Sequence, residues 1–254
     1  VGGVMLDLLR TRRWIGFTAL VAGAIVGFGL LSLWQWHRAD ERRAERVTLQ
    51  ASLEAAPVPV ADLLPLSPDD AWRTVAAVGR YSPDDQVLVR KRPLEGRNGF
   101  WVMARLDTAA GPVWVNRGWL AATGDALATP AIPPPPTGEV TVTGYARALE
   151  PDSDASGLPV GQVAAPSASA LPGADGGFVQ AASSAPAESA LVPVPVPTID
   201  EGRNISYAVQ WLLFATVAIA GWFVFLRREA REDRQAQAAS GTPEPAEAGS
   251  WTSG

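Results

Sequence analysis

Cysteine is absent from the 254 residues, and histidine occurs once, as His37. Without thiols there is no disulfide, no thiolate-held zinc or iron–sulfur cluster and no cysteine nucleophile. A single imidazole excludes multi-histidine metal sites, and any Ser-His-Asp triad would have to use His37 itself. Lysine is nearly missing too: Lys91 is the one lysine among 21 basic residues, the rest being arginine. Together with abundant Ala, Gly and Pro, this bias points to a GC-rich bacterial genome rather than to a function. The formal net charge of −5 argues against a general nucleic-acid binder. No Gly-rich phosphate loop, paired-carboxylate spacing or His-Glu-x-x-His ligand set occurs. Few catalytic residue types remain, so the chain is expected to act without turnover.

Two long apolar runs dominate what is present. Trp14–Trp36 and Ile205–Leu226 hold 23 and 22 residues without a charge. About 20 apolar residues in a helix cross roughly 30 Å of hydrocarbon, and a helix satisfies its own backbone hydrogen bonds there. Trp14, Trp34, Trp36, Trp211 and Trp222 sit near the ends of the runs, where indoles favour the headgroup zone. Nothing after the first run resembles a small-residue cleavage site, so it reads as a retained anchor. Arg10, Arg12 and Arg13 precede the first run, and Arg227, Arg228, Arg231 and Arg234 follow the second. These flanks place both termini in the cytoplasm, and Arg38, Arg42, Arg43 and Arg46 are a counter-signal. Residues 1–13 and 227–254 are then cytoplasmic, 14–36 and 205–226 span a cell membrane, and 37–204 lie outside.

Ala19, Gly23 and Gly27 recur every four residues on the first run, a stripe that admits another helix closely. Its mate is either the second run, through Ala208, Thr216 and Ala220, or a helix of another protein. Residues 37–53 continue the first helix as a charged stalk, ended by Pro57 and Pro59. Beyond them the hydrophobic period changes to two. Strands are predicted at Trp72–Tyr81, Gln86–Arg92, Phe100–Leu106, Pro112–Asn116 and Glu139–Ala148. Short connections imply antiparallel neighbours. In residues 151–177, 22 of 27 are Pro, Ala, Ser, Gly or Asp, which predicts a disordered insertion. Phe178–Gln180 and Leu191–Val194 are expected to return as edge segments, and the tail from Gln235 onward to be disordered. The fold class is therefore a membrane protein. Its two transmembrane helices flank a mainly antiparallel β extracytoplasmic domain, a small sheet or barrel with a disordered insertion.

Arg90 to Arg117 carry six basic against two acidic residues within an acidic outer segment. Such a basic stretch suits anionic headgroups, haem propionates or an acidic partner face, or is a solvated hairpin. His37 stands where the first run leaves the bilayer, and Ser206, Tyr207 and Gln210 make a polar stripe at the start of the second.

Taken in order, several blocks resemble the Surfeit locus protein one family of cytochrome c oxidase assembly factors. They are Leu33-Trp34-Gln35-Trp36-His37-Arg38, Gly79-Arg80-Tyr81, Val87-Leu88-Val89, Gly99-Phe100-Trp101-Val102, Val115-Asn116-Arg117-Gly118-Trp119 and Ile205-Ser206-Tyr207-Ala208-Val209-Gln210-Trp211. The resemblance implies help in maturing, or inserting haem a into, the catalytic subunit of a haem-copper oxidase. It implies as partners that subunit, other respiratory-complex subunits and membrane lipids, with haem a as a transient cofactor and no nucleic acid. Three roles fit: a chaperone without turnover, a haem-binding carrier and a permanent accessory subunit. Partner or haem contacts are expected from Trp34, Arg38, Arg90, Arg92, Asn116, Arg117, Gly118, Trp119, Asn204, Tyr207, Gln210 and Trp211. Arg117 would pair a propionate or partner carboxylate, or else tie down a turn made by Asn116 and Gly118. Family members commonly carry a His where this chain has Asn204, which leaves His37 as the one replacement ligand.

Overall fold

The computed structural model describes residues 8–124, 128–154, 156–174 and 176–240, with side chains through Ala236. It divides into a helical unit, up to Ala44 and from Ile199 onward, and a sheet unit, Glu45–Thr198.

In the helical unit, α1 (Arg12–Glu54, whose last turns from Glu45 belong to the sheet unit) runs antiparallel to α2 (Gly202–Ser240). On α1 the covered positions Trp14, Thr18, Val21, Ile25, Phe28, Ser32, Gln35 and Ala39 alternate steps of four and three residues. On α2, Asn204, Ala208, Trp211, Ala215, Ala218, Trp222 and Leu226 do nearly the same. A mean step near 3.5 is that of two helices coiling gently around one seam. Phe28 stacks on Trp211 at 5.7 Å between ring centres. Three polar pairs cross the seam. Ser32 Oγ donates to Ala208 O at 3.0 Å, Trp222 Nε1 to Thr18 Oγ1 at 3.0 Å, and Asn204 Nδ2 to Gln35 Oε1 at 3.2 Å.

The stripe of Ala19, Gly23 and Gly27 is not this seam. Ala19 and Gly23 are exposed, and a Cβ built on Gly23 or Gly27 would meet nothing within 4 Å. Of the expected mates, Ala208 is buried against Ser32, whereas Thr216 and Ala220 face outward. A row repeating every four residues drifts away from a seam repeating every 3.5, so the close approach comes from alanines on α2. The tail also departs from expectation, because α2 continues through Gln235–Ser240. Its last turns are rich in Ala, Arg, Glu and Gln, and Arg228 pairs with Glu232 one turn on at 2.9 Å. The remainder of the expected disordered tail, and residues 1–7, lie outside the described residues.

The sheet unit holds seven strands: β1 (Val58–Pro59), β2 (Thr74–Val89), β3 (Gly99–Thr108), β4 (Gly111–Ala121), β5 (Val140–Ala148), β6 (Gln162–Val163) and β7 (Gly177–Ala185). Pairing runs β2–β3–β4–β7–β5 and returns to β2, so five strands close into a ring. The two strands expected at Trp72–Tyr81 and Gln86–Arg92 are one long β2. Its first half pairs with β5 and its second with β3, across an irregularity between Tyr81 and Gln86. Ring closure explains why the sheet is mixed rather than mainly antiparallel. Directions cannot alternate all the way round an odd number of strands, so one neighbouring pair must be parallel. That pair is β4 with β7, at Val115–Val179 and Asn116–Gln180, and the short β1 and β6 add parallel to β2.

Alternation along β5 reads as expected, with Val140 and Val142 buried and Thr141 exposed. They join Val75, Leu106, Val113, Val115 and Val179 inside the ring. The expected disordered insertion is folded over residues 151–154, 156–174 and 176–177. Leu88 N–H donates to Gly161 O and Arg90 N–H to Val163 O, which docks β6 on β2 where β5 no longer covers it. Leu171 is fully buried with Val89, Met103, Trp114 and Phe178, and Trp114 Nε1 donates to Pro172 O at 3.0 Å. Low apolar content misleads here because Leu171 and Val163 serve as anchors and the backbone finds strand partners.

Leu171→Ala should therefore cost the sheet unit about 2–5 kcal/mol, the range for emptying a buried leucine site. Tryptophan fluorescence during denaturant unfolding, with Trp114 alongside as reporter, measures it; a free insertion would show no change.

Candidate functional site

The most specific block of the resemblance, Val115 to Trp119, lies on β4 where the ladder slips. Asn116 stands opposite Met103 and Gly118 opposite Val102, so Arg117 is an extra residue in a β-bulge. Gly118 has φ of +150°, and a Cβ there would come within 2.8 Å of Leu191 Cβ, so only glycine fits. Asn116 Oδ1 accepts from Gly118 N–H at 3.2 Å and holds the bulge from within. Trp119 and Val192 then exchange backbone hydrogen bonds at 2.7 and 3.0 Å, which brings the expected Leu191–Val194 edge segment onto β4.

The bulge re-aims Arg117 inward, leaving its side chain 1% exposed. All five guanidinium N–H groups are satisfied. Nε donates to Glu188 Oε2 at 3.0 Å, and Nη2 donates to the same carboxylate and to Pro134 O at 3.1 Å. Nη1 donates to Gln86 Oε1 at 2.8 Å and to Pro133 O at 2.9 Å. One cation thus ties together the bend of β2, the proline-rich segment before β5 and the segment after β7. Beside it opens a cleft of about 220 Å³ lined by Tyr81, Ser183, Ser184, Glu188 and Leu191. Burial pushes the Tyr81 phenol well above the usual tyrosine range. The Arg117 cation pulls the other way, and the Glu188 carboxylate adds to the rise.

Trp119 is buried too. Its Nε1 donates to Arg92 O at 2.6 Å, and its ring lies where a side chain on Gly99 would stand, 2.3 Å from a built Cβ. Arg97 covers it at 5.5 Å. Two blocks of the resemblance, Gly99-Phe100-Trp101 and Asn116-Arg117-Gly118-Trp119, therefore interlock. Arg92 is occupied as well, by Glu150 at 2.7 Å and by the Trp101 ring at 4.2 Å. Arg90 reaches Gln162 at 2.8 Å. For Arg117, the geometry favours tying a turn over pairing an external carboxylate. Asn116, Gly118 and Trp119 are likewise buried.

The remaining candidates cluster at one end of the helical unit. Trp34, His37, Tyr207 and Gln210 are exposed there, and Trp211 packs on Phe28. Arg38 is held by Glu41 at 2.8 Å. Asn204 spends its amide on Gln35, and His37 lies on an exposed helix face two residues further along α1. Among the described residues no group of three His, Cys, Asp or Glu side chains could hold a metal ion. A haem would meet one imidazole on an open helix surface, with the position of the family histidine already engaged. These residues do not build a haem pocket within the chain.

Sequence reasoning did not single out Glu188 or Gln86. A buried arginine demands a carboxylate, yet Glu188 lies 71 positions away and no spacing distinguishes it from other acidic residues.

The family model described as the SURF1 family matches residues 22–216. Over 257 aligned residues the chain is 32% identical to SURF1-like proteins of Mycobacterium bovis and Mycobacterium tuberculosis. The alignments cover 94% of this chain and 93% of theirs.

Arg117→Ala should destabilise the sheet unit by about 3–5 kcal/mol, because Glu188 is left with no counter-charge. Arg117→Lys should fail to rescue it, since three donors replace a planar set of five. Denaturant unfolding of both variants provides the check. The folded chain holds Tyr81 protonated, so the stability this provides is complete below the unfolded tyrosine pKa of about 10 and is lost as pH rises toward the elevated folded value. Unfolding midpoints followed through the alkaline range should show that loss in the parent chain and less of it in Tyr81→Phe.

Proposed function

The chain belongs to the SURF1 family, which is known for cytochrome oxidase assembly, and from that premise we propose that it is a membrane-anchored assembly factor for a haem-copper oxidase. It works on the catalytic subunit by binding, without turnover and without a haem of its own. The observation that carries this reading is the outward surface of the helical unit. Both helices are long and apolar enough to cross a membrane, yet 6% of either apolar stretch is buried. Leu20, Val26, Leu30, Val217 and Val224 are each more than half exposed. An apolar surface of that extent is unstable against water and suited to lipid or another membrane protein.

The most conspicuous cation, Arg117, is consumed by the fold, so the sheet unit offers a shaped surface rather than a reactive centre. The contact surface is the open face of α1, where Ala19, Gly23 and Gly27 admit a helix of the oxidase subunit closely. It continues through Trp34, His37, Tyr207 and Gln210 at the headgroup level. The arginine-rich ends of the chain stay in the cytoplasm, and the sheet unit stands outside, over the subunit being matured.

Removing the gene from its source organism should lower assembled oxidase and its haem a content several-fold. Returning the parent chain should restore both. Gly23→Leu should insert and accumulate normally but restore little oxidase, while His37→Ala should restore it fully. Unchanged haem a content in the gene-deleted strain would refute the assembly role, and failure of His37→Ala alone would favour a haem carrier.

A further inference from the structure

The cleft beside Arg117 opens at one end of the strand ring, where Tyr81 and Ala181 pack on the ring's core and also line the cleft. Charge is the first constraint on what it takes. Arg117 and Glu188 neutralise each other, and burial keeps the Tyr81 phenol protonated, so the cleft carries no net charge. A further charge of either sign would find no counter-charge there. Two polar atoms nevertheless stand open. Both Arg117 contacts with Glu188 use Oε2, so among the described residues neither Glu188 Oε1 nor the Tyr81 hydroxyl has a hydrogen-bond partner. The first needs a donor and the second an acceptor, and a peptide amide supplies both.

A strand edge runs beside these atoms. Pairing of β7 with β5 continues to Ala185, whereas its pairing with β4 ends at Asn116–Gln180, where the bulge at Arg117 begins. Beyond Gln180 no strand among the described residues pairs with that side of β7. All of residues 181–184 line the cleft. Successive side chains of a strand point to opposite faces, so a cleft that touches each of them follows the backbone edge. Pro136, Ala187 and Pro193 complete the walls with compact, uncharged side chains. We infer that this cleft takes an extended, uncharged peptide segment of a partner protein, laid along the free edge of β7 with one amide between Glu188 and Tyr81. The amide N–H donates to Glu188 Oε1, and its carbonyl accepts from the Tyr81 hydroxyl. Strand addition draws its affinity from such main-chain hydrogen bonds, and the compact walls select small side chains.

Because the chain has no cysteine, Ser183→Cys places a single thiol in the cleft. The full-length variant in a neutral detergent is alkylated with iodoacetamide, and the modification is followed by mass spectrometry. A capped Ala-Ser-Ala-Ser-Ala peptide should slow alkylation several-fold. The same peptide methylated on its backbone nitrogens, and a capped Ala-Asp-Ala-Asp-Ala peptide, should leave it nearly unchanged. Adding Tyr81→Phe should weaken the protection several-fold, with thermal unfolding close to that of the Ser183→Cys chain. In the parent chain the uncharged peptide should also slow amide hydrogen exchange over residues 182–184. Alkylation and exchange both unslowed at the limit of peptide solubility overturn the site. Equal protection by the methylated peptide overturns strand addition, equal protection by the acidic peptide overturns selection by charge, and full protection with Tyr81→Phe overturns the amide's placement. None of these readouts depends on oxidase assembly, so the two proposals fail separately.

Discussion

A buried guanidinium cannot be left unpaired, and in this chain that requirement organises the sheet unit. Arg117 is turned inward by a bulge and surrounded by acceptors from three segments distant in sequence. The Glu188 carboxylate alone would leave donors unsatisfied, and the carbonyls of Pro133 and Pro134 together with Gln86 complete the set. Proline-rich segments form no ladder of their own, so a donor that fixes their carbonyls also fixes the course of the chain. The bulge, the Asn116 amide that braces it and the glycine that permits it follow from this one placement. So does the Val192 contact on Trp119, because the segment carrying Glu188 must run past the end of β4.

A ring of five strands imposes the second constraint. It removes free edges along most of the sheet and forces one parallel pair, which requires the chain to cross from β5 to β7 before returning to β4. The crossover is the segment poorest in apolar residues. It remains ordered because Val163 and Leu171 seat in the core and β6 covers the exposed half of β2. The helical unit solves a different problem. Three polar pairs cross its seam while many of its apolar side chains face outward, the reverse of a water-soluble hairpin.

These two arrangements set what the molecule can do. In the sheet unit the buried Arg117, Trp114 and Trp119 serve the fold. In the helical unit the open face of α1 and the end carrying Trp34, His37, Tyr207 and Gln210 are exposed.

Much of this was legible in one dimension. Two charge-free runs of more than 20 residues, the switch to a period of two after Pro59, and the alternation of Val140 to Thr143 are local patterns, set by the backbone geometry of neighbouring residues. The ordered blocks also carried the family likeness. What lay beyond reach was everything decided by distant pairing. Tertiary structure turned Asn116-Arg117-Gly118-Trp119 from a contact candidate into an interior knot, because the partners of Arg117 lie up to 71 residues away. It ordered a stretch whose composition predicted disorder, because burial of one leucine depends on the cavity that other strands leave. It also moved the helix seam off the glycine stripe, since two coiled helices meet at a mean step of 3.5 residues whatever the spacing of their small residues. Sequence fixes local periodicity and the inventory of chemistry; which groups meet, and which stay open to a partner, is settled only when the ring closes and the helices pair.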